Sequence, residues 1–247
     1  MTRHTKLMLA FLVILALAAT SCAKLQARDN LNKGVRAFRD AHYENAVSYF
    51  KQAVELDPDL TTAEIYLATA YSQQFVPEGR GEDNAKFAQL AIQTFDDVLK
   101  RDPNNVNALA GLASIYQNTH ELQKAHDYYM KYAQLDASNP VPFYAIGSLD
   151  WIIVYDKNNP PPEDQQLKLI DEGLANLDKA LALNPDYDDA MTYKNLLYRE
   201  KARLSDNEDD KKKLTAQADE WFTKSLETRK KLAEKKKGVA VGGDAGK

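Results

Sequence analysis

The feature that most limits the folds open to this chain is a short pattern that returns along it. A small residue is followed by an aromatic residue or leucine four positions later, a small residue three after that, and proline five further on. Ala46, Phe50, Ala53 and Pro58 form the first copy, Ala91, Phe95, Val98 and Pro103 the next, and Gly173, Leu177, Ala180 and Pro185 a third. Weaker copies are Ala125, Tyr129 and Tyr132 with Ala137 in the proline slot, and Ala218, Phe222 and Ser225 with Lys230 there. The 4–3 spacing puts each set on one stripe of a helix, and the proline ends it. A helix with one such stripe buries it only against neighbours, so a tandem set implies stacked helices sharing an apolar spine.

A second helix precedes each copy. The segments "LNKGVRAF" (with Gly34), "IYLATAY" (ending in Tyr71), "LAGLASIY" (ending in Tyr116), "FYAIGSLDW" (with Gly147) and "MTYKNLLY" (ending in Tyr198) occupy equivalent places. Together with the downstream pattern they resemble the tetratricopeptide repeat, a helix–turn–helix unit of about 34 residues. The resemblance covers about residues 27–232 and implies an all-α, right-handed α-solenoid of about five helix pairs. On this reading Ala46, Phe50 and Ala53 are packing residues.

The interval from Pro103 to Ala137 matches that period, whereas the other three are longer by about 11 to 14 residues. The excess falls between the helices of pairs two, four and five, in "QQFVPEGRGEDN", "YDKNNPPPEDQQ" and "RLSDNEDDKKK". These predict loops decorating one edge of the array, with Phe75-Val76 docking on the array itself. "SDNEDD" lacks the glycine and terminal glutamate of a calcium loop and reads as a solvated linker.

The N-terminus has a different character. Arg3, His4 and Lys6 precede the apolar run "LMLAFLVILALAA" and then "TSC", the layout of a secretory signal. The only cysteine, Cys22, follows Ala19, Thr20 and Ser21, which resembles a bacterial lipobox, although Ala19 stands where leucine is usual. The same residues also suit an ordinary signal peptidase. The division expected is a lipoprotein signal peptide over 1–21, a lipidated tether over 22–26, the repeat domain over 27–235 and a flexible tail over 236–247. The expected location is the bacterial cell envelope, with the lipid on Cys22 holding the chain to the outer membrane facing the periplasm.

Loss of residues 1–21 removes Arg3 and Lys6 and no acidic residue, so the mature chain is more negative than the −4 of the whole sequence. That balance disfavours nucleic acid as a partner. His120 and His126, read as exposed, flank a turn without a second ligand pair, so no metal site is expected. No nucleophile motif or phosphate-cradling glycine loop occurs, so neither catalysis nor a cofactor is expected.

In the resembled family the first helices of each pair line a concave groove that binds peptides. Carried across, the groove would take Asn107, Gln117 and Asn118 from pair three, Tyr144, Ser148 and Trp151 from pair four, and Tyr193 and Arg199 from pair five. Trp151 fits a core role equally well. The family's carboxylate clamp is absent, its slots holding Leu31, Val35, Ile65 and Thr69. The resemblance therefore implies a non-catalytic adaptor that binds a protein or peptide partner in the cell envelope. The alternative is a self-associating or membrane-surface scaffold in an envelope assembly of the pilus or outer-membrane biogenesis type.

Overall fold

The computed structural model describes the backbone of residues 3–242 and the side chains of residues 21–236. Among the described residues the chain forms ten α-helices and no strand. Its contacts divide it into two compact units, Met1–His120 and Glu121–Lys247.

The first unit holds α1 (Arg3–Arg39), α2 (Tyr43–Leu56), α3 (Thr61–Gln74), α4 (Glu82–Arg101) and α5 (Val106–Asn118). Each packs on the next in chain order. Phe50, with no exposed surface, fills the gap beside Gly34 of α1. A β-carbon at Gly34 would overlap the Phe50 ring, so the two helices reach their spacing only with glycine there. Phe50 also stacks on Tyr66 of the following pair, with ring centroids 5.4 Å apart. The side chains of the apolar signal segment lie outside the described residues. Residues 22–26 are helical within α1, and Cys22 is exposed.

The second unit holds α6 (Leu122–Leu135), α7 (Pro140–Val154), α8 (Glu163–Leu183), α9 (Asp188–Arg203) and α10 (Glu208–Gly242). The same device recurs: a β-carbon on Gly147 of α7 would stand 2.5 Å from Leu177 Cγ of α8. Ile146, Leu149, Ile170, Leu177 and Leu197 complete a core from α7, α8 and α9.

The joins between pairs are built alike. The amide of Leu60 donates to the Asp57 carbonyl (3.0 Å), Asn105 to Asp102 (3.1 Å), Asn139 to Asp136 (3.2 Å) and Tyr187 to Asn184 (3.1 Å). The second position of the turn is Pro58, Pro103 or Pro185, whose fixed φ near −65° suits a type I turn, and Ala137 in the remaining join. Asn105 and Asn139 then cap the next helix, accepting from the amides of Ala108 (3.1 Å) and Val141 (3.0 Å).

The extra residues within pairs do not all become loop. In pairs two and four they lengthen the second helix, so α4 has 20 residues and α8 has 21, against 14 in α2 and in α6. Acidic first turns, Glu82-Asp83 and Glu163-Asp164, stabilise these extensions against the helix dipole. "SDNEDD" likewise opens α10, its Asn207 side chain accepting from the amides of Asp209 and Asp210. Phe75 and Val76 part company: Phe75 is half-buried, while Val76 is 60% exposed. The Val76 backbone is held by Asn84, whose side chain accepts from the Val76 amide and donates to its carbonyl (2.7 and 2.9 Å).

One pattern position departs from packing. Ala218 and Ser225 of α10 are buried, but Phe222 is 46% exposed. The equivalent Phe50 is covered by Tyr66 of the next pair, and no described helix follows α10.

Candidate functional site

Tyr144 and Trp151 lie two turns apart on α7, and Tyr193 on α9 reaches both. Its ring centroid is 5.7 Å from that of Tyr144 and 5.6 Å from that of Trp151, edge-on in each case. Two residues that sequence reasoning missed extend the strip. Tyr187, the N-cap of α9, lies 4.8 Å from Tyr144, and Tyr155, the C-cap of α7, stacks on Trp151 at 4.9 Å. The i, i+4 spacing of Trp151 and Tyr155 was the available signal for one; Tyr187, two residues past Pro185, stands outside the helix segments that supplied the groove positions. Five rings thus run across the first helices of pairs four and five.

Burial raises the Tyr144, Tyr187 and Tyr193 hydroxyls above the usual tyrosine range, and Asp189 adds to it in each case. They are neutral donors near neutral pH. The Trp151 indole Nε1 is buried with no hydrogen-bond partner, an unusual state for that donor. The face is therefore apolar, half-exposed and supplied with tyrosine O–H groups. It can hold an extended segment by ring contact and hydrogen bonds to its carbonyls, the chemistry that concentrates energy at interfaces.

The other expected groove residues do not join it. Ser148, on the same stripe of α7, is buried, and its hydroxyl donates to the Ala145 carbonyl (2.9 Å). Arg199 faces α10 instead, donating to Asn195 (2.9 Å) and to Asp219 (2.7 Å). Asn107 and Asn118 are exposed and Gln117 is half-buried, all three on α5 in the first unit.

A second cluster contradicts an expectation. His126 is buried, not exposed: its Nε2 lies 3.3 Å from Asp150 Oδ1 on α7 and 3.9 Å from Glu172 Oε1 on α8. The contact lacks hydrogen-bond alignment, so His126 Nε2 and both Asp150 carboxylate oxygens are unbonded. Burial pushes Asp150 up to about 6, despite the opposing pull of His126. The Asp150 carboxylate raises His126 against its own burial. Among the described residues no group of three metal-ligating side chains could hold an ion, and none of their helices is long and apolar enough to cross a membrane.

Family models of the tetratricopeptide repeat match residues 31–60 and 94–127. The helix pairs and their glycine–aromatic contacts have the architecture those models describe. The chain contains tetratricopeptide repeats. Solved structures with the same fold include a MamA protein (17% identical, TM-score 0.60, covering 85% of this chain and 94% of that one). MamA from Desulfovibrio magneticus RS-1 is 19% identical, with a TM-score of 0.59 over 83% of this chain and 96% of that one. YrrB, described as a tetratricopeptide protein with an unusual peptide-binding site, is 15% identical (TM-score 0.54, 81% and 90% covered). Sperm-associated antigen 1 of Mus musculus is 26% identical over 136 residues, which is 55% of this chain but only 13% of that relative's length. Tetratricopeptide repeats are in general non-catalytic scaffolds, and those of this protein support a role as a protein–protein interaction adaptor.

Proposed function

We propose that this tetratricopeptide protein is a non-catalytic adaptor of the bacterial cell envelope that binds a peptide segment of a partner protein on the α7–α9 face. The observation that carries this reading is the half-exposed aromatic strip through Tyr144, Tyr193 and Trp151. Rings presented to solvent in a row are a recognition surface, because a core would cover them and a plain surface would not gather them. The peptide-binding site of the structurally similar YrrB is consistent with it.

Lipid on Cys22 would place this face at a membrane. The sequence "TSC" after an apolar run supports that, as does the exposure of Cys22. Several acyl chains give durable anchoring, at about 0.8 kcal/mol per buried CH₂. The outer membrane facing the periplasm is the proposed location. Metabolic labelling with palmitate tests the anchor: label is expected on the wild type and not on Cys22→Ser, and equal labelling refutes it.

Co-purification tests the face. Tyr144→Ala combined with Trp151→Ala should abolish recovery of the partner while the helical circular dichroism stays intact. Undiminished recovery refutes the assignment. One observation favours the scaffold alternative, namely the exposure of Phe222 and Leu226 on α10 (46% and 48%). Under that reading Phe222→Ala, and not the α7–α9 pair, would lower self-association in sedimentation.

A further inference from the structure

Tyr187 and Tyr193 both pack against Tyr144 at one end of the aromatic strip. Tyr187 is tilted 33° to Tyr144 and Tyr193 stands at 68° to it, so Tyr144 is met by rings in two orientations. All three are half-buried. Asp189, in the first turn of α9, acts electrostatically on every one of them. Its side chain is 58% exposed and pairs with Arg229 at 3.5 Å. That arginine is engaged more closely by Asp188, at 2.8 Å, so two carboxylates share one guanidinium. Lys231 is taken by Asp186. The cluster thus keeps a negative surplus beside π-faces.

Elsewhere the protein supplies its own cations to such rings. Lys51 lies 5.7 Å from the Tyr71 centroid, Lys157 5.2 Å from Tyr155, and Lys179 5.4 Å from Phe143. Lys194 lies 3.9 Å from the Trp221 centroid. Among the described residues no lysine or arginine of the chain lies over Tyr144, Tyr187 or Tyr193. An acidic first turn alone is explained by the helix dipole. The dipole does not explain three half-open rings gathered beside it.

We infer that the Tyr144–Tyr187–Tyr193 cluster with Asp189 is a subsite for a basic side chain, arginine or lysine, of the partner segment that lies along α7 and α9. The inference rests on the proposed peptide-binding face and adds what that face selects. The cation sits against the tyrosine rings, where the quadrupole attracts it, and Asp189 neutralises it. Arginine has the better fit of the two, because its planar guanidinium stacks on a ring and still donates sideways to a carboxylate.

The test is a selection of phage-displayed random dodecapeptides on the immobilised full-length protein, followed by titration of the enriched peptides. The inference expects arginine or lysine at one fixed position of the enriched set. Replacing that residue by glutamine should weaken binding about tenfold, and Asp189→Asn should weaken it about threefold. Asp189→Asn changes an exposed side chain and keeps the fold, so its effect reads recognition. Enriched peptides without a basic residue, but dependent on Tyr144 and Trp151, overturn this subsite and leave the peptide-binding face standing. Basic peptides whose binding is unchanged in Tyr144→Ala and Asp189→Asn overturn both. A selection that enriches nothing also counts against both.

Discussion

The imidazole of His126 stands 3.3 Å from the Asp150 carboxylate at a buried meeting of α6, α7 and α8. Both groups hold protons more tightly than in an unfolded chain. Asp150 titrates near 6 in the fold because burial penalises its anion, and His126 is raised by that anion. Glu172, 3.9 Å from His126, pulls the same way. For the aspartate, the unfolded chain loses its proton near pH 4 and the folded one only near 6, so stability falls across that window. For the histidine, the stabilisation is present below about 6.5 and is lost as pH rises through its higher folded value. Thermal melts between pH 4 and 8 should therefore show this contribution declining with pH, by on the order of 1–3 kcal/mol in total. Asp150→Asn should flatten the slope, and an unchanged slope in that variant would show that the pair does not set it.

Phe50 and Phe222 occupy the same pattern position with opposite burial, which makes them a controlled pair. Phe50 has no exposed surface and contacts both Gly34 and Tyr66. Phe50→Ala should cost about 3–5 kcal/mol through the cavity it leaves. Phe222→Ala removes a ring that is already 46% in water and should cost less than about 1 kcal/mol. Denaturant melts monitored by circular dichroism separate the two.

Lys194 is buried between Asp178 of α8 and Trp221 of α10, its ammonium 3.9 Å from the indole centroid. The partners are unequal, since Asp178 is 62% exposed and Lys194 only 3%. Removing the aspartate leaves a buried cation with one fewer counter-charge, whereas removing the lysine leaves a carboxylate that water solvates. Asp178→Asn should thus destabilise by about 1–3 kcal/mol, and Lys194→Met, which keeps the volume, by less. Chemical denaturation that ranks the two the other way would contradict this.

Ala41 closes the turn between α1 and α2 with φ at +57°, a left-handed conformation that costs a side chain about 1 kcal/mol. Ala41→Gly should raise stability by about 0.5–1 kcal/mol, the relief exceeding the added freedom of the unfolded chain. A lower melting temperature in that variant would show that the turn carries no such strain.

The repeating helix pairs were legible because their packing is local: Gly34 and Phe50 stand in one hairpin, and so do Gly147 and Leu177. The turns were legible for the same reason, from Asp57-Pro58 to Asn184-Pro185. Part of the candidate site was legible too, since Tyr144 and Trp151 share a stripe of α7. What escaped depends on which helix meets which. His126 reads as a solvated polar residue until α6 meets α7 and sets Asp150 beside it. Arg199 sits on a first helix as the repeat register requires, yet Asp219 draws it toward α10. Ser148 has the right phase, but its neighbours close over it. Phe222 fits the packing pattern, but no described helix follows α10 to cover it.

Photo-crosslinking in living cells shows whether the α7–α9 rings meet a partner. A benzophenone amino acid placed at Tyr155, 44% exposed at the end of the strip, is compared with one at exposed Gln52 on α2. A discrete adduct is expected from position 155 that disappears in Tyr144→Ala with Trp151→Ala, and none from position 52. Equal adducts from both positions, or an adduct from 155 that survives the double substitution, would contradict it.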